Sequence, residues 1–269
     1  MNTPGNKALL RHQRIKSMLA NQETVSLSEF CGTLNCSEST IRNDLRFLES
    51  QGVLKRTFGG AMLLDTVTNG YNITVRSTAN QQYKALMADY IVKNIIVPGS
   101  TIALDSGSTA LEIAKKLCEA QIDITVITNS FAAAAVLAQH ESINFYLAGG
   151  NYSPHTGSFF DEITTAAITS LYADLFFFTA HGVSADVGFT IGSSAEGPIK
   201  RTMIQCSKKT IAVLDHTKIG HTGLKLVCGF DSIHTIITDS LADPSAVDSL
   251  RQKGVEVILV PAASPAEQP

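Results

Sequence analysis

CSESTIRNDLRFLESQGVLKR, residues 36–56, places Ile41, Leu45 and Leu48 at helical spacing, so one stripe of this segment faces inward. Ser37 opens the helix, with Ser39 as a second possible cap, because a hydroxyl there satisfies an orphan backbone N–H. The helix ends before Gly52, a residue type suited to the left-handed turn after a last helical turn. With the apolar stripe turned inward, Ser39, Thr40, Arg42, Asn43 and Arg46 occupy the outer face. Arg reads guanine bidentately, Asn reads adenine, and Ser or Thr bonds phosphate. A solvated amphipathic helix carries similar charges, so the neighbouring elements must decide between the two readings.

Those neighbours favour a groove-reading unit. Upstream, Leu9, Leu10, Ile15, Met18 and Leu19 fit a first helix, and Leu27, Phe30, Cys31 and Leu34 the apolar side of a second, capped by Ser26 or Ser28. Downstream, VLKRTFGGAMLL (53–64) alternates around Gly59-Gly60, which predicts a two-stranded wing. Lys55 and Arg56 on that wing are placed for phosphate contacts, and Ser37 joins the outer face. In such a helix-turn-helix the second helix of the pair enters the major groove. The domain is expected over 1–64, followed by a polar, weakly periodic linker over 65–82.

Charge supports the division. The 269-residue chain carries a formal net charge of −3, yet residues 1–60 hold 8 Lys/Arg against 5 Asp/Glu. A basic front end on an acidic body fits an anionic partner. With 44% hydrophobic residues the chain can bury a sizeable core. Cys31, Cys36, Cys118, Cys206 and Cys228 are scattered and show no CxxC spacing, which argues against a disulfide framework or a structural zinc site. Asp215-His216 with His221 lacks a rigid helical frame for a metal, so neither metal nor cofactor is expected. No apolar run reaches membrane-spanning length. A cytoplasmic protein is expected, without a membrane partner.

From residue 83 to 262 strands and helices alternate: STIALDSG, DITVITNS, INFYLAGG, ADLFFFTAHG, TIAVLDHTK, IHTIITDS and VEVILV read as strands with helices between them. The strands are continuously apolar, as in a parallel sheet covered on both faces. The fold class is therefore α/β, with an N-terminal winged helix-turn-helix domain joined to a larger α/β domain. The tail 263–269 reads as disordered.

ALDSGSTALEIAKKL (103–117) is a strand, a small-residue loop and a helix. Ser106, Gly107, Ser108 and Thr109 there suit a phosphate at a helix N-terminus, where backbone N–H groups and the dipole favour an anion. It matches neither the Walker pattern nor GxGxxG. A plain strand-to-helix turn has the same composition, so the segment alone leaves both readings open. Thr128 and Asn129 end a second strand, and Gly149 and Gly150 follow a third. Small polar groups at several strand ends are what a site on the carboxyl edge of an α/β sheet requires.

The segment VSLSEFCGTLNCSESTIRNDLRFLESQGVLKRTFGGA (25–61) resembles the DNA-binding domain of the DeoR family of bacterial transcriptional regulators. The similarity continues through LDSGSTALEIAKKL, TVITNS, LAGG, EGPIKRTMI and LDHTKIG. It covers residues 8–260. The resemblance implies a C-terminal domain similar to the ribose-phosphate isomerase fold that senses phosphorylated sugars or sugar alcohols. It implicates Asp105, Ser106, Gly107, Ser108 and Thr109, with Thr128 and Asn129 beside them, and Gly149, Gly150, Glu196 and Lys218. In this reading Lys218 neutralises phosphate or polarises an oxygen, while Asp105 and Glu196 accept hydrogen bonds from sugar hydroxyls.

The chain departs from the family pattern twice. Many members carry two adjacent arginines where this chain has Arg42-Asn43, so its operator preference is expected to differ there. His181 follows a strand end where an Asp or Asn is common nearby, and it is a further candidate effector contact.

The expected function is a repressor of a sugar or sugar-alcohol utilisation operon. It would bind double-stranded operator DNA as a dimer or tetramer and be released by a phosphorylated sugar. The alternative is a sugar-phosphate isomerase-like enzyme fused to a DNA-binding segment.

Overall fold

The computed structural model describes residues 8, 11–12, 14–15, 18–19, 25–50, 54–57, 59–63, 73–154 and 156–262, apart from the side chains of 55, 62–63 and 74–75. It divides into two compact units, 1–70 and 71–269. Among the described residues no helix is long and apolar enough to cross a membrane.

In the first unit Ala8, Arg11, His12, Arg14, Ile15, Met18 and Leu19 are helical. The helices Leu27–Leu34 and Glu38–Ser50 follow. Ser26 caps the first of these in a capping box with Glu29, and Asn35 turns the chain with a left-handed φ of 49°. Ser37 precedes the second, its hydroxyl accepting from Thr40 N at 3.3 Å. Ile15, Leu19, Leu27, Phe30, Ile41, Leu45, Leu48, Leu54 and Ala61 form one buried core. Each fully buried aliphatic there stabilises the unit by about 1.5–3 kcal/mol.

Leu54–Thr57 and Gly60–Leu63 pair as the expected wing. The structure adds a third strand, Val25–Ser26, on the far side of Gly60–Leu63. Two residues are too few to show a period, so the sequence gives no strand signal there. Gly60 is required at that crossing, since a Cβ would lie 2.1 Å from Val25 O. Leu9, Leu10, Gly52 and the tail 263–269 lie outside the described residues.

The stretch expected as a linker, 65–82, contains the helix Ile73–Thr78, and the next helix, Gln81–Asn94, begins inside it. Between them Asn80 adopts φ 53°. Six helical residues rich in β-branched and hydroxyl side chains carry no clear 3.6-residue period, which is why the sequence reads as unstructured there.

The second unit is built on a seven-stranded sheet. Its spatial order is Glu256–Val260, Thr235–Asp239, Ser207–Val213, Ala173–Phe178, Thr101–Leu104, Ile124–Thr128 and Ile143–Leu147, all parallel. Side chains alternate between two cores, as a strand's period of two demands. Ile102, Leu104, Val126, Phe177 and Val213 enter one core with the helices Gln81–Asn94 and Ser108–Ala120. Ala103, Ile127, Phe176, Phe178 and Ala212 enter the other with Glu196–Gln205 and Pro244–Arg251. Burial on both faces explains the unbroken apolar strands.

A separate antiparallel sheet of Gly182–Ser184, Gly188–Ile191 and Lys225–Cys228 packs its Val183, Phe189, Ile191 and Val227 into that second core. The sequence reading has no counterpart for it. From Thr101–Leu104 the chain steps outward through two strands, then returns to place Ala173–Phe178 on the other side. This reversal leaves a crevice at the carboxyl ends of the two central strands, where α/β sheets bind ligands.

Candidate functional site

On the first unit, Ser37, Ser39, Arg42, Asn43 and Arg46 are exposed and Thr40 is half-buried. The three hydroxyls form a cluster, with Ser37 Oγ 3.0 Å from Ser39 Oγ and 2.8 Å from Thr40 Oγ1. Arg42 Nη2 lies 2.6 Å from Glu38 Oε1, and Arg46 Nη1 donates to Asn43 Oδ1 at 3.1 Å. The outer face thus carries three separate polar groups: the hydroxyl cluster, the Glu38–Arg42 pair and the Asn43–Arg46 pair. Arg56 N and Nε donate to the two carboxylate oxygens of Glu49 at 2.9 and 2.6 Å, which ties the wing to this helix. Lys55 lies in the same wing strand.

Beneath the surface sits a hub that the sequence reading missed. Asp44 is buried on the inner face among Ile41, Leu45 and Leu48. Its carboxylate accepts from Arg11 Nε, from Arg11 Nη2 at 2.9 Å, and lies 2.9 Å from His12 Nε2. Burial works to raise the Asp44 pKa, but the bonds from Arg11 and His12 outweigh it and hold the carboxyl below its ordinary value. His12 also stacks on Phe47, centroids 5.1 Å apart. An acid on the apolar stripe of a helix was the available signal, because a buried carboxylate implies a partner.

On the second unit, an open cleft is lined by Arg76, Asn80, Lys84, Ser108, Thr109, Thr179, Asp215 and Lys218, among others. Of the expected effector residues, Ser108, Thr109 and Lys218 are lining residues. Ser108 and Thr109 open the helix Ser108–Ala120, whose N-cap position is Gly107. Glycine has no side chain to cap with, so first-turn N–H groups are left for an external acceptor. Gly107 also meets a packing demand, since a Cβ there would lie 2.3 Å from Thr179 Oγ1. Ser106 is buried, its N–H given to Asp105 Oδ1 at 2.8 Å.

Three cations gather around this helix start. Lys84 is buried, with Nζ donating to the carbonyls of Arg76 and Ala79. Desolvation lowers its pKa to about 8, with Asp215 opposing and Arg76 and Lys218 reinforcing the drop. Lys218 is likewise lowered, first by desolvation, with Asp215 opposing and Arg76 adding to the shift. Asp215 is held by Asn80 Nδ2 at 3.0 Å and by the amide and hydroxyl of Thr217. Three cations and one carboxylate at an uncapped helix N-terminus give this part of the cleft an excess of positive charge and hydrogen-bond donors, the chemistry that suits a multivalent anion. His181 shares the field: desolvation, then Lys218, Arg76 and His221, push its imidazole below its ordinary value.

Asp105 differs from its expected role. It is 1% exposed. Its carboxylate accepts from Thr179 N at 2.8 Å, from Thr179 Oγ1 and from the buried Lys200. Burial opposes ionisation, but Lys200 and Thr179 more than offset it and lower the pKa. Asp105 therefore braces the two central strand ends rather than facing the cleft.

The remaining expected residues lie elsewhere on the same edge. Thr128 is buried, its Oγ1 accepting from Ser130 N at 3.0 Å. Asn129 is buried too, with Nδ2 donating to Phe159 O at 2.9 Å and Oδ1 without a partner among the described residues. Glu196 Oε2 is 3.6 Å from Lys200, and its Oε1 is buried without a partner among the described residues. Gly149 O accepts from Thr164 Oγ1 at 3.0 Å. Gly150, at φ 150°, packs where a Cβ would strike Asp161 and Thr164. None of these five lines the cleft. Arg76, Asn80, Lys84, Thr179 and Lys200 were missed by the sequence reading, the first three because they fall in or beside the expected linker. Among the described residues no cluster of His, Cys, Asp or Glu is arranged to hold a metal ion.

Comparison with known proteins matches both units. Residues 11–67 match the DeoR-like helix-turn-helix domain and residues 79–240 the DeoR C-terminal sensor domain. The chain is 30% identical over 252 residues to the "Putative aga operon transcriptional repressor" of Escherichia coli O157:H7, covering 93% of each. It is 31% identical to the "HTH-type transcriptional regulator GolR" of Listeria innocua, covering 92% of this chain and 96% of that one. Among solved structures, ribose 5-phosphate isomerase A of Methanocaldococcus jannaschii aligns at TM-score 0.39 and 19% identity, over 52% of this chain and 55% of the enzyme. A likeness of that degree carries no argument.

Proposed function

The chain belongs to the DeoR family of transcriptional regulators, and from that premise we propose that it represses a sugar or sugar-alcohol utilisation operon and is released from DNA by a phosphorylated effector. The observation that carries the effector class is the gathering of Arg76, Lys84 and Lys218 around the uncapped helix start at Ser108 and Thr109. A phosphate dianion satisfies that charge and those N–H groups, and an unphosphorylated sugar does not. A relative named as an operon's transcriptional repressor supports repression as the sign of control.

The exposed face of Glu38–Ser50 reads the operator, with Arg42, Asn43 and Arg46 toward bases and the Ser37, Ser39 and Thr40 hydroxyls toward phosphate. Lys55 and Arg56 add backbone contacts from the wing. One such helix reads few bases, so a dimer or tetramer on repeated half-sites supplies the specificity. Release requires that the effector prefer the arrangement that does not bind DNA. The isomerase-like alternative has no observation in its favour: Asp215, the acid that lines the cleft, is held by Asn80 and Thr217, and Asp105 is engaged by Lys200 and Thr179.

The deciding experiment measures binding to DNA upstream of the neighbouring genes while a panel of sugar phosphates is added. Release by one compound and not by its unphosphorylated form is the expected result. Equal release by both forms would remove the phosphate from the mechanism.

A further inference from the structure

The helix Ile73–Thr78 lies between the segments matched by the two family models, 11–67 and 79–240. It is therefore the last regular element before the sensor domain on the path from the DNA-binding unit. At six residues it is too short to be stable on its own. Helix ends leave carbonyls that need donors from outside the helix, and two residues past Thr78 the chain turns at Asn80 in a left-handed conformation. The ammonium of Lys84 supplies donors to two carbonyls there, those of Arg76 and Ala79. A lysine at this place also complements the negative end of the helix dipole. Lys84 is thus the cap of the connecting helix.

Lys84 is also a lining residue of the cleft, with Ser108, Thr109 and Lys218. An ammonium has three N–H donors, and two are given to the connector. We propose that Lys84 is a shared donor: in the free protein it caps the connecting helix, and a bound phosphate draws it away and loosens that helix. This inference rests on the effector reading above and adds the step by which binding reaches the DNA-binding unit.

The direction follows from the relative strength of the bonds. An ammonium–phosphate hydrogen bond joins two full charges, whereas an ammonium–carbonyl bond joins one charge to a dipole. Burial raises the stakes on both sides, because a desolvated ammonium with poor partners is costly. Its pKa near 8 in the free protein is consistent with carbonyl partners that do not fully compensate burial. Asn80, whose Nδ2 donates to Asp215, fixes the far end of the junction to the strand-end loop that carries Lys218. Release of Lys84 therefore loosens 73–79 while the junction stays anchored.

Hydrogen–deuterium exchange on the full-length protein, with and without saturating inorganic phosphate, tests this. The expected result has opposite signs: residues 108–111 exchange more slowly with phosphate, and residues 73–80 exchange about fivefold faster, as loss of one net hydrogen bond gives. In Lys84→Gln, residues 73–80 exchange fast with or without phosphate, while phosphate still protects 108–111 more weakly through Lys218 and the helix start. Protection at 108–111 with no acceleration at 73–80 in the wild type overturns the shared-donor step alone. No protection at 108–111 overturns the phosphate reading and this step with it. The wild-type measurement decides the matter even if the variant fails to fold.

Discussion

The ammonium of Lys200 meets the carboxylate of Asp105 with side chains only 3% and 1% exposed. Removing one partner leaves a buried charge with no counter-ion, which costs about 3–5 kcal/mol. Lys200→Met and Asp105→Asn are each expected to lose that much in denaturant unfolding. The double variant Asp105→Asn with Lys200→Met is expected to lose clearly less than the two singles combined. Additive losses would mean that the pair does not act as a unit.

The Asp44 hub predicts an acid-sensitive DNA-binding unit. Because the folded-state pKa is lowered, its contribution is complete above the unfolded carboxyl value and is lost as pH falls through the folded one. Asp44→Asn is expected to destabilise this unit by about 2 kcal/mol at pH 7, the worth of charged hydrogen bonds. That difference should shrink toward pH 3. A gap that stays constant with pH would assign the effect to packing.

Arg42 is paired with Glu38 in the free protein, with both side chains well exposed. Arg42→Ala is expected to weaken operator binding by about 1–3 kcal/mol and relax preference at one base position. Glu38→Gln frees the guanidinium, so affinity for any duplex should rise, and the rise should fade at high salt. Uniform weakening across operator variants in Arg42→Ala would assign Arg42 to phosphate instead.

Lys84 gives effector binding a pH dependence. A bound phosphate favours the charged ammonium, so its pKa rises in the complex and binding takes up protons near and above pH 8. Affinity for the effector is expected to be highest below about pH 8 and to fall as pH rises through it. Calorimetry at pH 8.5 in buffers of different ionisation enthalpy measures the uptake. An affinity that does not change from pH 7 to 9 would show that Lys84 keeps its free-state environment.

Gly107→Ala places a Cβ 2.3 Å from Thr179 Oγ1 and 2.9 Å from Thr179 Cβ, at the junction of the two central strands. Overpacking of this kind costs about 1–3 kcal/mol. A matching Thr179→Ser change, which removes a methyl but leaves the hydroxyl, should recover little of it. Large recovery would show that the methyl, 3.1 Å away, is what obstructs.

The reading helix was legible because its signal is local. Ile41, Leu45 and Leu48 repeat within two turns, and Arg42, Asn43 and Arg46 fall opposite them. The parallel sheet was legible for a similar reason, since continuous apolar strands need covers on both faces. The cleft was half legible. Ser108 and Thr109 follow a strand directly, but Arg76, Asn80 and Lys84 reach them only through tertiary packing. Asp105 had the right address and the wrong job: a sequence shows an acid at a strand end but not the Lys200 ammonium, 95 residues downstream, that engages it.

Both faces of the seven-stranded sheet are sealed by helices, and all its strands run the same way. The strand-end loops that line the cleft therefore hang from a single rim, and Arg76, Asn80 and Lys84 reach it from the two helices that precede the first strand. Chemical taste in such a protein is modular: one loop can be exchanged without disturbing the packing that holds the others in place. A lineage can retune what it senses by small edits spread from residue 76 to 218, leaving the sheet beneath unchanged.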